Sequence, residues 1–187
     1  SLTHHLNNQI TMSIKTIIFC TLSCILLAAC TNTKQQLKDE IDSKEKLLYE
    51  NKNGRINTKL AREVIIHYRY YAEKFPDDTL SVEYLFKAGD VSVGIAAYDN
   101  ALEYFKIISE KYPKSNRAAY SLFLQGYISE NNLEDTLNAR KYYNEFLEKY
   151  PNNEMAESAR FSILNLGKSA EDVMKKIDGN KDSIPEK

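Results

Sequence analysis

Three short strips of this chain repeat one pattern, and each stops at a proline. Ala101, Phe105, Ile108 and Tyr112 fall at spacings of four, three and four before Pro113. Val64, Tyr68, Tyr71 and Phe75 do the same before Pro76, and Ala139, Tyr143, Phe146 and Tyr150 before Pro151. Such spacings put each quartet on one face of an α-helix, and the proline, which lacks an amide hydrogen and crowds the preceding turn, ends it. The prolines stand 37 and 38 residues apart. A period of that size means stacked helical or helix-containing units, because one unit cannot bury its apolar face alone. With 43% apolar residues over 187 positions, the chain carries enough apolar surface for one domain with a core.

The segments between the strips read as partner helices. Asp77-Asp78-Thr79 offers side-chain oxygens to cap a helix running to about Val93, where Gly94 breaks it. After Pro113 to Asn116 a helix runs through Ser121 to Ser129, Asn131 and Asn132 mark a turn, and Asp135 or Thr136 caps the helix that ends at Tyr150. A further helix spans about Glu154 to Leu166 and stops at Gly167, and a short one starts at Ser169 and ends near Ile177. Ahead of these, residues 34–50 form a helix with Leu37, Ile41 and Leu48 on one stripe, then a turn at Asn51 to Gly54 and a second helix from about Thr58. Residues 178–187 are polar, contain Gly and Pro, and are expected to be disordered.

Gly89, Ala101, Phe105 and Pro113 in one unit, and Gly126, Ala139, Tyr143 and Pro151 in the next, resemble the tetratricopeptide repeat. The physical reading is that the glycines and alanines are small where two helices cross closely, Phe105 fills the gap between repeats, and the proline terminates the second helix. In the first unit Val64 replaces the small alanine and no matching glycine is present, so that unit is degenerate. The resemblance implies an all-α, tetratricopeptide-like right-handed superhelix of antiparallel helix pairs, with the repeat domain at residues 34–177.

The N-terminal region reads as a targeting segment. Met12 and Lys15 open an apolar run from Ile17 to Ala29, with residues 1–11 as an extension ahead of the start. That run is shorter than the roughly 20 residues a spanning helix needs and suits a signal-peptide core, giving a signal peptide over residues 1–29. It ends Leu27-Ala28-Ala29-Cys30, which resembles the lipobox of bacterial lipoproteins and implies lipid attachment at Cys30, followed by a tether over residues 30–36. Thr31, rather than the Asp that resembles an inner-membrane retention signal, favours the periplasmic face of the outer membrane. Lys38-Asp39-Glu40 resembles surface-export signals only faintly and reads better as a solvated helix face.

Little points to chemistry. All three cysteines lie within the first 30 residues, so the rest holds neither a disulfide framework nor a thiolate metal site. A net charge of -1 gives no footprint for nucleic acid. After Cys30 there is one histidine, His67, and a lone histidine is not a zinc site. Asp77 and Asp78 read as caps and not as an acid/base pair, and no nucleophile, phosphate-loop or dinucleotide motif occurs. The expectation is a non-enzymatic protein with no cofactor and no metal.

A binding face is a different matter. On the first helices of successive units, Glu83, Phe86, Asp90 and Val93 share their spacing with Tyr120, Phe123, Tyr127 and Glu130. In tetratricopeptide arrays those positions line the concave surface, so Phe86, Asp90, Tyr120, Phe123 and Tyr127 are the candidate partner-binding residues, with Phe161 continuing the row. Two readings stay open: an exposed groove with acids that select basic residues, or a row partly covered by the C-terminal helix. A lipidated chain of this kind is similar to the BamD-like lipoproteins of outer-membrane protein assembly and to the CpoB-like repeat proteins that link envelope constriction with wall synthesis. BamD-like proteins carry more repeats, and the coiled coil of CpoB-like proteins has no counterpart here. The resemblance implies an adaptor for protein partners in the envelope; the alternatives are a wall or division adaptor and a small substrate-binding lipoprotein.

If Cys30 carries the anchor, Cys30→Ser should leave the protein soluble or unprocessed on fractionation. Intact mass of the membrane-bound form should show a lipidated cysteine, and an unmodified Cys30 there contradicts the assignment.

Overall fold

The structure is a computed structural model that describes residues 33–50, 56–169, 171–172 and 174–175. Cys30 and its leader, the turn at Asn51 to Gly54 and the tail 178–187 lie outside the described residues. The chain divides into two compact units, residues 1–50 and 51–187. In the first, helix α1 spans residues 33–49, and the stripe expected from the sequence, Leu37, Ile41 and Leu48, comprises its buried apolar positions.

The second unit is a succession of helices: α2 (Thr58–Lys74), α3 (Thr79–Gly94), α4 (Tyr98–Lys111), α5 (Ala118–Asn131), α6 (Thr136–Lys149) and α7 (Ala156–Asn165). Each packs on the next, no strand occurs among the described residues, and α3/α4 and α5/α6 form two helical hairpins of a tetratricopeptide-type superhelix. The proline corners are built alike. The carbonyls of Phe75, Tyr112 and Tyr150 accept from the amides of Asp78, Ser115 and Asn153 at 2.9, 2.9 and 3.1 Å. The carbonyls of those three residues in turn accept from Ser81, Ala118 and Ala156. Asp78 and Asn153 also turn a side-chain oxygen onto the amide two residues on, at 2.8 and 3.0 Å, which satisfies donors the helix itself leaves open. Tyr112 spans one repeat to donate its hydroxyl to the carbonyl of Pro76 at 3.1 Å, tying two corners together.

Within each hairpin the helices meet through a ring on a glycine. A Cβ built at Gly89 would lie 2.6 Å from the Phe105 ring, and one at Gly126 would lie 2.7 Å from the Tyr143 ring. Ala101 and Ala139, one turn before those rings, are fully buried, as are Phe105 and Tyr143. The sequence pattern assigns Phe105 to the gap between repeats; the structure places its ring over Gly89, inside its own hairpin. The α2–α3 contact lacks this device and uses aromatic packing instead, with Tyr84 stacked on Tyr68 at 5.4 Å and edge-on to Tyr71 at 4.8 Å. Tyr71 also donates to Asp78, the N-cap of α3, at 3.1 Å.

The hairpin loops close the same way despite a difference of one residue. The amide of Ala97 bonds the carbonyl of Ser92 at 2.8 Å, and that of Asp135 bonds the carbonyl of Ser129 at 2.7 Å. Both serines turn their hydroxyls back onto the helix, on the carbonyls of Ala88 and Gln125. Gly94 ends α3 and Asn131 and Asn132 end α5 as the sequence suggests, while the left-handed residues that let each loop turn come after them, at Ala96 (φ 56°) and Glu134 (φ 54°). Gly94 itself is exposed and has ordinary helical φ, and a Cβ there would meet only the movable tip of the exposed Ile56 side chain.

The ring seats make a test in which propensity and packing oppose each other. Helix propensity alone favours alanine over glycine by about 1 kcal/mol, whereas crowding a closed crossing costs about 1–3 kcal/mol. Gly126→Ala should therefore lower the chemical-denaturation midpoint in the wild type and raise it in a Tyr143→Ala background. The same sign in both backgrounds means that Tyr143 does not occupy that space.

Candidate protein-binding face

The face is built from the first helices of the hairpins, α3 and α5, and begins with a contact between them. Arg117, at the N-cap of α5, grips Glu83 of α3: its Nε lies 3.1 Å from both carboxylate oxygens and its Nη2 2.7 Å from one. The guanidinium lies 4.3 Å from the ring centroid of Phe86, and Phe86 stacks on Tyr120 at 5.7 Å and 28°. Phe86 also meets Phe105 at 5.5 Å. Phe86 is therefore only 6% exposed, which corrects its assignment to an open row. The next hairpin covers it. Arg117 was not singled out from the sequence; its signal is an offset of 34 residues from Glu83, the same offset that separates Phe86 from Tyr120.

Phe123, the counterpart of Phe86 in the next hairpin, is half-buried, with Tyr143 at 5.5 Å and Phe146 at 5.6 Å. It roofs the core cluster of Leu122, Ala139, Tyr143, Phe146, Ala156 and Ala159. The next position in the series, Phe161 on α7, is 50% exposed. What remains open on α5 is Tyr120, at 40%, and Tyr127, at 48%. Thus the five candidates separate: Tyr120, Tyr127 and Asp90 are exposed, Phe123 is shared between face and core, and Phe86 belongs to the packing.

The acids differ in their commitments. Glu83 is held by Arg117. Glu130 accepts from the Tyr143 hydroxyl at 2.8 Å, and this pair has an apolar counterpart one repeat earlier, where Val93 and Phe105 occupy the same positions. The hydroxyl and the carboxylate thus come as a matched set. Asp90 has no hydrogen bond or ion pair among the described residues; loss of hydration raises its pKa, and the charge of Arg117 offsets this only in part.

Other polar groups are structural. Asp78 and Asp135 cap α3 and α6, bonding the amides of Leu80 and Asn138. His67 Nδ1 lies 2.8 Å from the Glu63 carbonyl of its own helix. No group of three or more His, Cys, Asp or Glu side chains that could hold a metal occurs among the described residues. A cleft of about 280 Å³ between α2 and α4 is lined by Arg69, Glu73, Lys111 and Tyr112, with Arg69 and Glu73 paired at 3.6 Å, and offers no nucleophile-and-base arrangement. No described helix is long and apolar enough to cross a membrane.

Comparison with known families matches residues 120–153 to the tetratricopeptide repeat. That span runs from Tyr120 in α5 through α6 to Asn153 in the following corner, and so covers the Gly126–Tyr143 crossing. No curated protein and no solved structure matches the chain. The chain therefore contains a tetratricopeptide repeat, a module that generally mediates binding of protein partners, and α3/α4 carries the same crossing one repeat earlier.

Burial raises the pKa of Tyr71, Tyr104, Tyr112 and Tyr143 from the usual 10.0, and at Tyr143 the bond from Ser162 lowers it while Glu130 raises it further. The folded state thus favours the neutral phenols. Stability should hold below about pH 10 and fall as pH rises toward the higher folded values. Denaturation midpoints across the alkaline range, followed with phenolate absorbance, check this. Ordinary titration of all thirteen tyrosines near pH 10 without loss of stability contradicts it.

Proposed function

We propose that this chain is a lipid-anchored adaptor at the periplasmic face of the outer membrane, where it binds a protein segment along α3 and α5 and serves envelope assembly. The observation that carries the binding reading is the exposure of Tyr120 and Tyr127 on one face of α5, in an array whose other repeated aromatic positions are largely packed. Amphipathic rings that are wet when free and can be desolvated by a partner are the residue type in which binding energy concentrates. The tetratricopeptide match supports a protein partner over a reaction. Cys30 within Leu27-Ala28-Ala29-Cys30 supports the anchor, and the resemblance to BamD-like lipoproteins supports assembly work as the setting.

The combined change Tyr120→Ala with Tyr127→Ala should abolish co-purification of the partner from the native envelope, by roughly 2 kcal/mol or more for each true hot spot. Tyr127→Ala alone should weaken it with the denaturation midpoint close to wild type, whereas Tyr120→Ala, which removes the ring stacked on Phe86, should also lower the midpoint. Phe123→Ala is the wrong probe, because removing a half-buried ring packed on the core costs fold stability as well, toward the about 3–5 kcal/mol of a fully buried Phe. A folded double variant that retains its partner places binding elsewhere.

A further inference from the structure

We infer that the segment bound on this face is basic, and that it sets a lysine or arginine against Asp90 while its apolar side chains lie on Tyr120 and Tyr127. The inference rests on the adaptor reading and adds the chemistry of the partner.

It follows from which charges on the face are already answered. Glu83 is bidentate with Arg117, and the Arg117 guanidinium in turn lies 4.3 Å from the centre of the Phe86 ring, so this pair is neutral and held in place. Glu130 accepts from Tyr143. Lys87, three residues before Asp90, lies 5.9 and 5.6 Å from the rings of Tyr68 and Tyr84 and so is directed toward α2. Asp90 alone is exposed on the face with no hydrogen bond or ion pair among the described residues. The 34-residue register of Glu83 with Arg117 and Phe86 with Tyr120 brings Asp90 level with Leu124, between the two exposed tyrosines of α5. An exposed carboxylate on the same face as two exposed tyrosines is complementary to a segment that carries a cation among apolar side chains, the acid attracting it by charge and the rings by contact. An acidic segment would meet Asp90 and Glu130, with Arg117 already committed to Glu83.

The test uses the full chain and two labelled synthetic peptides of identical alternating apolar pattern, one carrying lysine and the other glutamate at the polar positions, with binding read by fluorescence anisotropy. The lysine peptide should bind about tenfold tighter or better. Asp90→Asn should erase most of that preference, and Asp90→Lys should reverse it, both at an exposed position where the fold is unaffected. Tyr127→Ala should weaken both peptides by a similar factor. Equal binding of the two peptides, still sensitive to Tyr127→Ala, overturns the basic partner and leaves the face. Binding that ignores Tyr127→Ala overturns the face itself. Failure of both peptides to bind, with concentration-dependent self-association lost in Tyr127→Ala, makes a second copy the occupant and also overturns the inference.

Discussion

The contact on which the hairpins depend is a flat ring laid on a glycine. Phe105 on Gly89 and Tyr143 on Gly126 bring paired helices to a distance that any Cβ would prevent. Alanine one turn away keeps the spacing, and the buried ring supplies more apolar area than an aliphatic side chain would. Because the rings are fully enclosed, the crossing has little freedom to relax, and this makes the two positions sensitive to a single methyl group.

From that crossing the rest follows outward. Fixing the hairpins fixes which side of α3 and α5 looks away from the second helices. The pairing of Glu83 with Arg117 and the stacking of Phe86 on Tyr120 then set neighbouring hairpins in register. Register has a cost in open surface, since the same contact that joins two hairpins covers Phe86. The binding face is therefore the part of the row that stacking leaves uncovered. Exposure rises along Phe86, Phe123 and Phe161.

The hairpins were legible because their signals are local: a four-three-four strip, a proline and a small residue at a constant distance. Capping was legible for the same reason, with Asp78 and Asp135 both bonding amides at the starts of their helices. The site was half legible. Helical phase names the face, but phase is blind to what the next repeat lays on top, which is why Phe86 and Phe123 read as open. Arg117 escaped because its partner is a whole repeat away. The loop strain at Ala96 and Glu134 escaped because closure by Ser92 and Ser129 imposes it on residues that do not favour it.

The central claim is that a partner lies along α5 and not along the outer faces of the second helices. The two surfaces offer a matched pair of tyrosines: Tyr127 on α5 is 48% exposed, and Tyr70 on α2 is 49% exposed with Lys74 over its ring. Placing a photo-crosslinking amino acid at each position in the native host and comparing the adducts decides between them. The account predicts a discrete adduct from position 127 that is absent from position 70. The same adduct from both positions, or from position 70 alone, contradicts it.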